Sequence, residues 1–198
     1  TASVFMLPGT TAFGQHPVDL PPHSQMVESH PFYTKPIPAL KDTTLNGVGF
    51  DIDNYKDQII VLHFWSLRCA ACFKEVPELN LIAEEYHKKG VVIISMMDDT
   101  RDALKEKIGS AGEFYRLRKP VFGNDKIGFE IIPDAKETMM TYKPEDIPFG
   151  FPITYFIKGG LVKEFSFGYM MSYGNPQPAE SKNYFHIKKV LDRLIADE

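Results

Sequence analysis

The sequence predicts an α/β domain with a mixed central sheet flanked by helices. Three observations carry this. The runs DQIIVLHFW, ending at Trp65, and VVIISMM at 91–97 are near-continuous stretches of β-branched and aromatic residues, the signature of buried strands. Each is followed by a segment with helical spacing, and strand–helix–strand–helix implies parallel strands. The later stretch FPITYFIKGGLVKEFSFG folds back on Gly159-Gly160 and reads as an antiparallel hairpin, so the sheet is mixed.

The elements follow in order. Residues 1–38 are dense in proline and histidine, which predicts an irregular arm lying on the domain or leading to an anchor. Its first fourteen residues are mildly apolar and small, as in the tail of an export signal or an ordered mature arm. From 39 to 198 the chain reads as one domain. LKDTTLNGVGFDI carries Asn46-Gly47 between alternating stretches and predicts an N-terminal hairpin. From Cys69 to Gly90 the spacing of Cys72, Val76, Leu79, Ile82 and Ala83 predicts a helix, kinked at Pro77 and stopped at Gly90. After the second strand, Asp99 or Thr100 is placed to cap another helix. Residues 113–150 are the least legible; KPVF suggests a short strand and DAKETMMTY a turn or two of helix. SKNYFHIKKVLDRLIADE closes the chain as an amphipathic helix, with Phe185, Val190, Leu191 and Leu194 expected inward.

Bulk properties exclude several classes. The formal net charge of −4 argues against a nucleic-acid partner, which demands a basic surface. No apolar run approaches the roughly 20 residues that cross a bilayer. The two cysteines of the chain lie in one motif, so no disulfide framework staples distant segments.

That motif, HFWSLRCAACFKEVP, puts Cys69 at the junction of a strand and a helix. The first N–H groups of a helix lack internal partners, and its dipole adds partial positive charge, so a thiolate is favoured there. Cys72, one turn deeper, is placed to form a small disulfide ring with Cys69. Cys69 would attack a partner's disulfide and Cys72 resolve the mixed disulfide. A lone C-x-x-C also serves as half a zinc site, but zinc needs two further ligands, and neither a second cysteine pair nor a compact histidine motif is present. Two inert packed thiols are the other reading. It leaves the strand-end position unexplained.

With these residues in view, IIVLHFWSLRCAACFKEVPEL resembles the active-site region of thioredoxin-fold proteins, and most closely the TlpA/ResA-like thiol–disulfide oxidoreductases, an AhpC/TSA-related branch. Phe64, Trp65, Ser66, Cys69, Cys72, Glu75 and Pro77 occupy the branch's motif places. The resemblance covers residue 39 to the C-terminus, with a poor fit over about 113–150. It implies a thioredoxin-like fold and a dithiol that exchanges electrons with cysteines of protein substrates, re-reduced by an upstream donor. Phe151-Pro152 would carry the cis-proline that faces the sulfurs and pairs with an incoming peptide. Trp65 would shield the pair beside the substrate, or simply pack. Glu75 and His63 would handle protons: Glu75 matches the branch's glutamate near the sulfurs, and His63 stands where thioredoxin has a buried carboxylate. A solvated glutamate and a core histidine satisfied by backbone are the alternatives.

The chain departs from the branch at Arg68, often aromatic in relatives. It would favour the Cys69 thiolate or lie solvated at a loop tip. It departs again at Ala70-Ala71, the pair that tunes redox potential. No metal and no organic cofactor are expected, because the Cys69–Cys72 pair carries the two electrons itself. A reductant acting as a monomer in the bacterial envelope is expected. Rival readings are a peroxiredoxin-like peroxidase, for which HFWSLRC lacks the threonine and proline, and a redox-inactive or copper-handling module of the same fold. Paired methionines at 96–97, 139–140 and 170–171 and the histidines at 16, 23 and 30 suggest soft-metal contacts or, more simply, core filling and a polar arm. Tyr142 and Phe149, near Pro152 in sequence, would line its groove.

Overall fold

The computed structural model describes residues 27–108, 127–143, 150–170 and 177–197. Five strands form one sheet in the order β5-β4-β3-β6-β7. They are β3 (Ile59–Trp65), β4 (Val91–Met97), β5 (Glu130–Ile132), β6 (Ile153–Lys158) and β7 (Leu161–Phe167). β3, β4 and β5 run parallel, and β6 runs antiparallel to both its neighbours, β3 and β7, so the sheet is mixed as the sequence predicts. A separate hairpin joins β1 (Lys41–Thr43) to β2 (Gly49–Asp51). Helices of the described residues include α1 (Pro31–Thr34), α2 (Ala70–Tyr86), α3 (Arg101–Ile108), α4 (Lys136–Tyr142) and α5 (Lys182–Ala196).

The period of two along β3 sorts its side chains. Ile60, Leu62 and Phe64 face a layer with Met139 and Tyr142 of α4. Ile59 and Val61 face Leu79, Ile82 and Tyr86 of α2 and Ile187, Leu191 and Leu194 of α5. The same alternation sends His63 and Trp65 to the α2 side. Each of Leu79, Ile82 and Leu191 is fully buried, and such a side chain contributes about 1.5–3 kcal/mol. α2 runs unbroken through Pro77, and the chain leaves it through a short turn to Gly90, whose φ of 76° needs no side chain. The β6–β7 turn uses Gly159 and Gly160 at φ 60° and 72°, both left-handed, as a two-residue hairpin requires.

The hairpin β1–β2 is tied down rather than free. The Leu45 N–H donates to the Ile131 carbonyl at 2.7 Å, and the Arg101 guanidinium donates to the Thr43 and Thr44 carbonyls at 2.9 and 2.7 Å. α3 starts after Thr100, whose hydroxyl accepts from the Ala103 N–H at 3.3 Å.

Several expectations are corrected. The described end of the arm is not irregular: Pro31 opens one helical turn, which costs nothing because proline's missing N–H would be unpaired there anyway. His30 caps that turn, and Ile37 N–H donates to the Gly160 carbonyl at 2.9 Å, fixing the segment to β7. In α5 Phe185 points outward, 57% exposed, while Tyr184 and Ile187 take the inward places, because Leu191 and Leu194 set the buried stripe. Tyr142 lines no groove. It is fully buried, against Phe64, Tyr155 and Phe32. Met96, Met97 and Met139 fill the core, whereas Met140 and Met170 are exposed. His16, His23, the KPVF segment, Phe149 and Met171 lie outside the described residues.

Candidate functional site

Cys69 is the N-cap of α2, with extended backbone at φ −95°, and its Sγ accepts from the Cys72 N–H at 3.1 Å. The sulfur therefore occupies the place where a helix offers unpaired N–H groups and positive partial charge. The two cysteines are joined as a disulfide, with Cα atoms 5.3 Å apart. Their environments differ. Cys69 is half-buried, while Cys72 is fully buried against Trp65, Phe73 and Val76. One sulfur is reachable from outside and the other is not, the asymmetry that attack and resolution require.

The loop before Cys69 is held by hydrogen bonds. Leu67 N–H donates to Asp99 Oδ2 at 2.7 Å, and Arg68 N–H to Ser66 Oγ at 3.2 Å. The Arg68 side chain turns to Asp98, donating to Oδ2 at 2.7 Å, so its charge is neutralised across the loop instead of resting on the sulfur. Phe151 packs against the same apolar cluster as Cys69, Cys72 and Trp65. The Phe151–Pro152 peptide is cis. Pro152 itself is buried, and its carbonyl accepts from the Gly168 N–H at 2.8 Å, which leaves Phe151 as the half-exposed member of the pair.

Trp65 is not on a substrate-facing surface: it is fully buried. Its Nε1–H donates to Ser95 Oγ, and its ring meets Phe73 edge-on with centroids 5.5 Å apart. It forms the floor behind the disulfide because an inward position on a central strand with α2 above has no exit to solvent.

On the α2 side of β3 the sequence-predicted His63 and Glu75 are brought together. His63 Nε2 lies 3.1 Å from Glu75 Oε2, with both side chains buried. The other imidazole nitrogen, Nδ1, has no hydrogen-bond partner among the described residues. Glu75 Oε1 accepts from Asn183 Nδ2 at 3.1 Å, and the same amide donates to Glu78 Oε2 at 2.7 Å. Glu78 Oε1 accepts from the Tyr169 hydroxyl at 2.6 Å, and Ser181 bonds the same carboxylate. Burial pushes the Glu78 carboxyl above its ordinary range, and the neighbouring charge of Glu75 pushes the same way. Burial and the Glu78 carboxylate likewise push the Tyr169 hydroxyl up.

Glu78, Asn183, Ser181 and Tyr169 are the residues that sequence reasoning missed. Glu78 carries a signal: three residues after Glu75, it shares that residue's helical face. Asn183 lies more than a hundred positions away and carries none. The described residues contain no cluster of three or more histidine, cysteine or acidic side chains able to hold a metal ion.

Residues 33–161 match the model of the AhpC/TSA family. The chain belongs to the AhpC/TSA family. The thiol–disulfide oxidoreductases ResA of Bacillus anthracis and Bacillus cereus are similar to it at 33% identity over 88 residues, 44% of this chain and 49% of theirs. The matched segment thus spans about half the length of these relatives. Among solved structures, a thiol:disulfide interchange protein DsbE from Chlorobium tepidum aligns over 81% of this chain and 95% of its own at 18% identity, with a TM-score of 0.55. The exposed lipoprotein thioredoxin of Streptococcus pneumoniae aligns over 79% and 99% at 19% identity, with a TM-score of 0.54. These likenesses establish the thioredoxin-like fold for this AhpC/TSA family member.

Proposed function

We propose that this domain is a thiol–disulfide oxidoreductase that reduces disulfides in protein substrates. The observation that carries the reading is the unequal exposure of two joined sulfurs at the start of α2. In the reduced state the Cys69 thiolate attacks a substrate disulfide and the first substrate thiolate leaves. The Cys72 thiolate then attacks Cys69 Sγ and expels the second. Two electrons pass to the substrate, whose two sulfurs take up two protons, the one released by Cys72 and one from solvent, and Cys69–Cys72 is left as a disulfide. An upstream dithiol donor restores the pair, and no metal or organic cofactor takes part. Half-exposed Phe151, beside buried Pro152, offers backbone to which an extended substrate segment can pair. Glu75 and His63 supply and accept the proton of Cys72, since water does not reach it.

An extracytoplasmic, envelope-associated monomer is our reading of the setting. The ResA-like motif supports it, as does the likeness to a protein described as an exposed lipoprotein. No helix among the described residues is long and apolar enough to cross a membrane.

Two measurements test the function. Equilibration in glutathione buffers, read by thiol alkylation, is expected to give a potential at or below about −270 mV, the reducing end of the thioredoxin range. Cys72→Ser is expected to trap a mixed disulfide through Cys69, and Cys69→Ser to trap none. A potential near that of disulfide-forming enzymes reverses the direction, and absence of any trapped species removes the exchange activity.

A further inference from the structure

The buried polar cluster along α2, the helix that Cys69 caps, holds more acid than a single proton handler needs. Glu75 and Glu78 are 2% and 1% exposed, stand one helical turn apart on α2, and converge on one side chain, Asn183. Among the described residues neither carboxylate has a lysine or arginine partner. The groups that face them are His63 from β3, Tyr169 after β7, and Ser181 and Asn183 at the start of α5. Two carboxyl groups held this close and this deep set any negative charge on one against charge on the other. An amide donates both hydrogens but passes no proton, so Asn183 clamps the two carboxylates together without being a conduit between them.

We propose that Glu78, clamped to Glu75 by Asn183, is a positioning residue that sets the pH at which the Cys69–Cys72 dithiol becomes reactive. This deepens the oxidoreductase reading and rests on it. Opening the disulfide with a dithiol donor brings two electrons and two protons to the pair, and with Cys69 ionised one proton belongs at buried Cys72. The negative charge at Glu78 favours keeping that proton inside. Its outer oxygen is held by Tyr169, which directly follows the Gly168 that bonds Pro152, so the cluster reaches from the interior to the edge of the Phe151–Pro152 segment.

The test is the pH profile of iodoacetamide alkylation of the reduced protein, which needs no disulfide partner and stands whether or not exchange with protein disulfides is seen. Glu78→Gln removes the charge and keeps the shape. Its amide oxygen accepts from Asn183, and its nitrogen donates to the Tyr169 oxygen. Its alkylation midpoint is expected to fall by about half a pH unit or more, the size of one unit charge acting over roughly two helical turns in a protein interior. Tyr169→Phe, at a half-exposed position that leaves the core intact, weakens the ionised form of Glu78 and is expected to shift the midpoint the same way by less. A lowered melting temperature with both midpoints at the wild-type value overturns the proposal, because a merely structural Glu78 changes stability without moving the profile.

Discussion

Two regions among the described residues bury a histidine. In the arm, His30 is 2% exposed, and on β3, against α2, His63 is 0% exposed. His30 meets only backbone: Nδ1 accepts from the Phe32 N–H at 3.1 Å and Nε2 donates to the Tyr142 carbonyl at 3.0 Å. Its ring lies among Phe32, Tyr155 and Phe165, with centroids 5.3–5.6 Å away. Every polar atom is used, and burial holds the imidazole below its ordinary range, in the neutral form. His63 has the opposite arrangement, one nitrogen against the Glu75 carboxylate and the other idle. A histidine satisfied on both sides by backbone is a fastener. One that leaves a nitrogen free beside a carboxylate retains a place for a proton.

That contrast can be broken by substitution. The largest effect is expected from His30→Ala, which removes two buried hydrogen bonds and leaves a cavity among three aromatic rings. A loss of about 2–4 kcal/mol in urea unfolding is expected, with alkylation and exchange by the folded fraction unchanged. His63→Gln keeps an N–H donor toward Glu75 and loses the second ring nitrogen. Single-turnover exchange is expected to slow about tenfold while stability moves by less than about 1 kcal/mol. If His63→Gln costs as much stability as His30→Ala and leaves exchange untouched, both histidines are fasteners and the contrast is gone.

The smallest effect sharpens the comparison through pH. His30 has a folded-state pKa below the ordinary 6.5. Its contribution to stability is therefore fully present above pH 6.5 and is lost as pH falls through the lower folded value. His30→Asn keeps an acceptor for the Phe32 N–H but does not titrate. The drop in urea midpoint between pH 7 and pH 5 is expected to shrink in this variant relative to wild type. An identical drop in both proteins would place the acid sensitivity elsewhere.

The strands around the sheet were legible because their runs are long and their alternation or continuity is strong: β3, β4 and the β6–β7 hairpin stand where IIVLHFW, VVIISMM and the Gly159-Gly160 turn put them. The dithiol was legible for a similar reason. A strand end, two cysteines three apart and a helix are all local, so their geometry follows from spacing. The turn of helix at Pro31–Thr34 was not legible, because proline density speaks only of missing donors. His30 finds Tyr142 more than a hundred residues away. Phe185 was misread because adjacent aromatics, Tyr184 and Phe185, compete for one inward position, and the partner helix decides which takes it.

The sequence by itself determined the α/β class and the strand–dithiol–helix unit, since each depends on backbone periodicity over a few residues. Only the tertiary structure decided that Trp65 is floor rather than surface, that Arg68 serves Asp98, and that Glu78 and Asn183 complete the acid cluster. Those outcomes depend on which distant side chains close a buried space, and a buried polar atom accepts whatever partner the fold delivers to it.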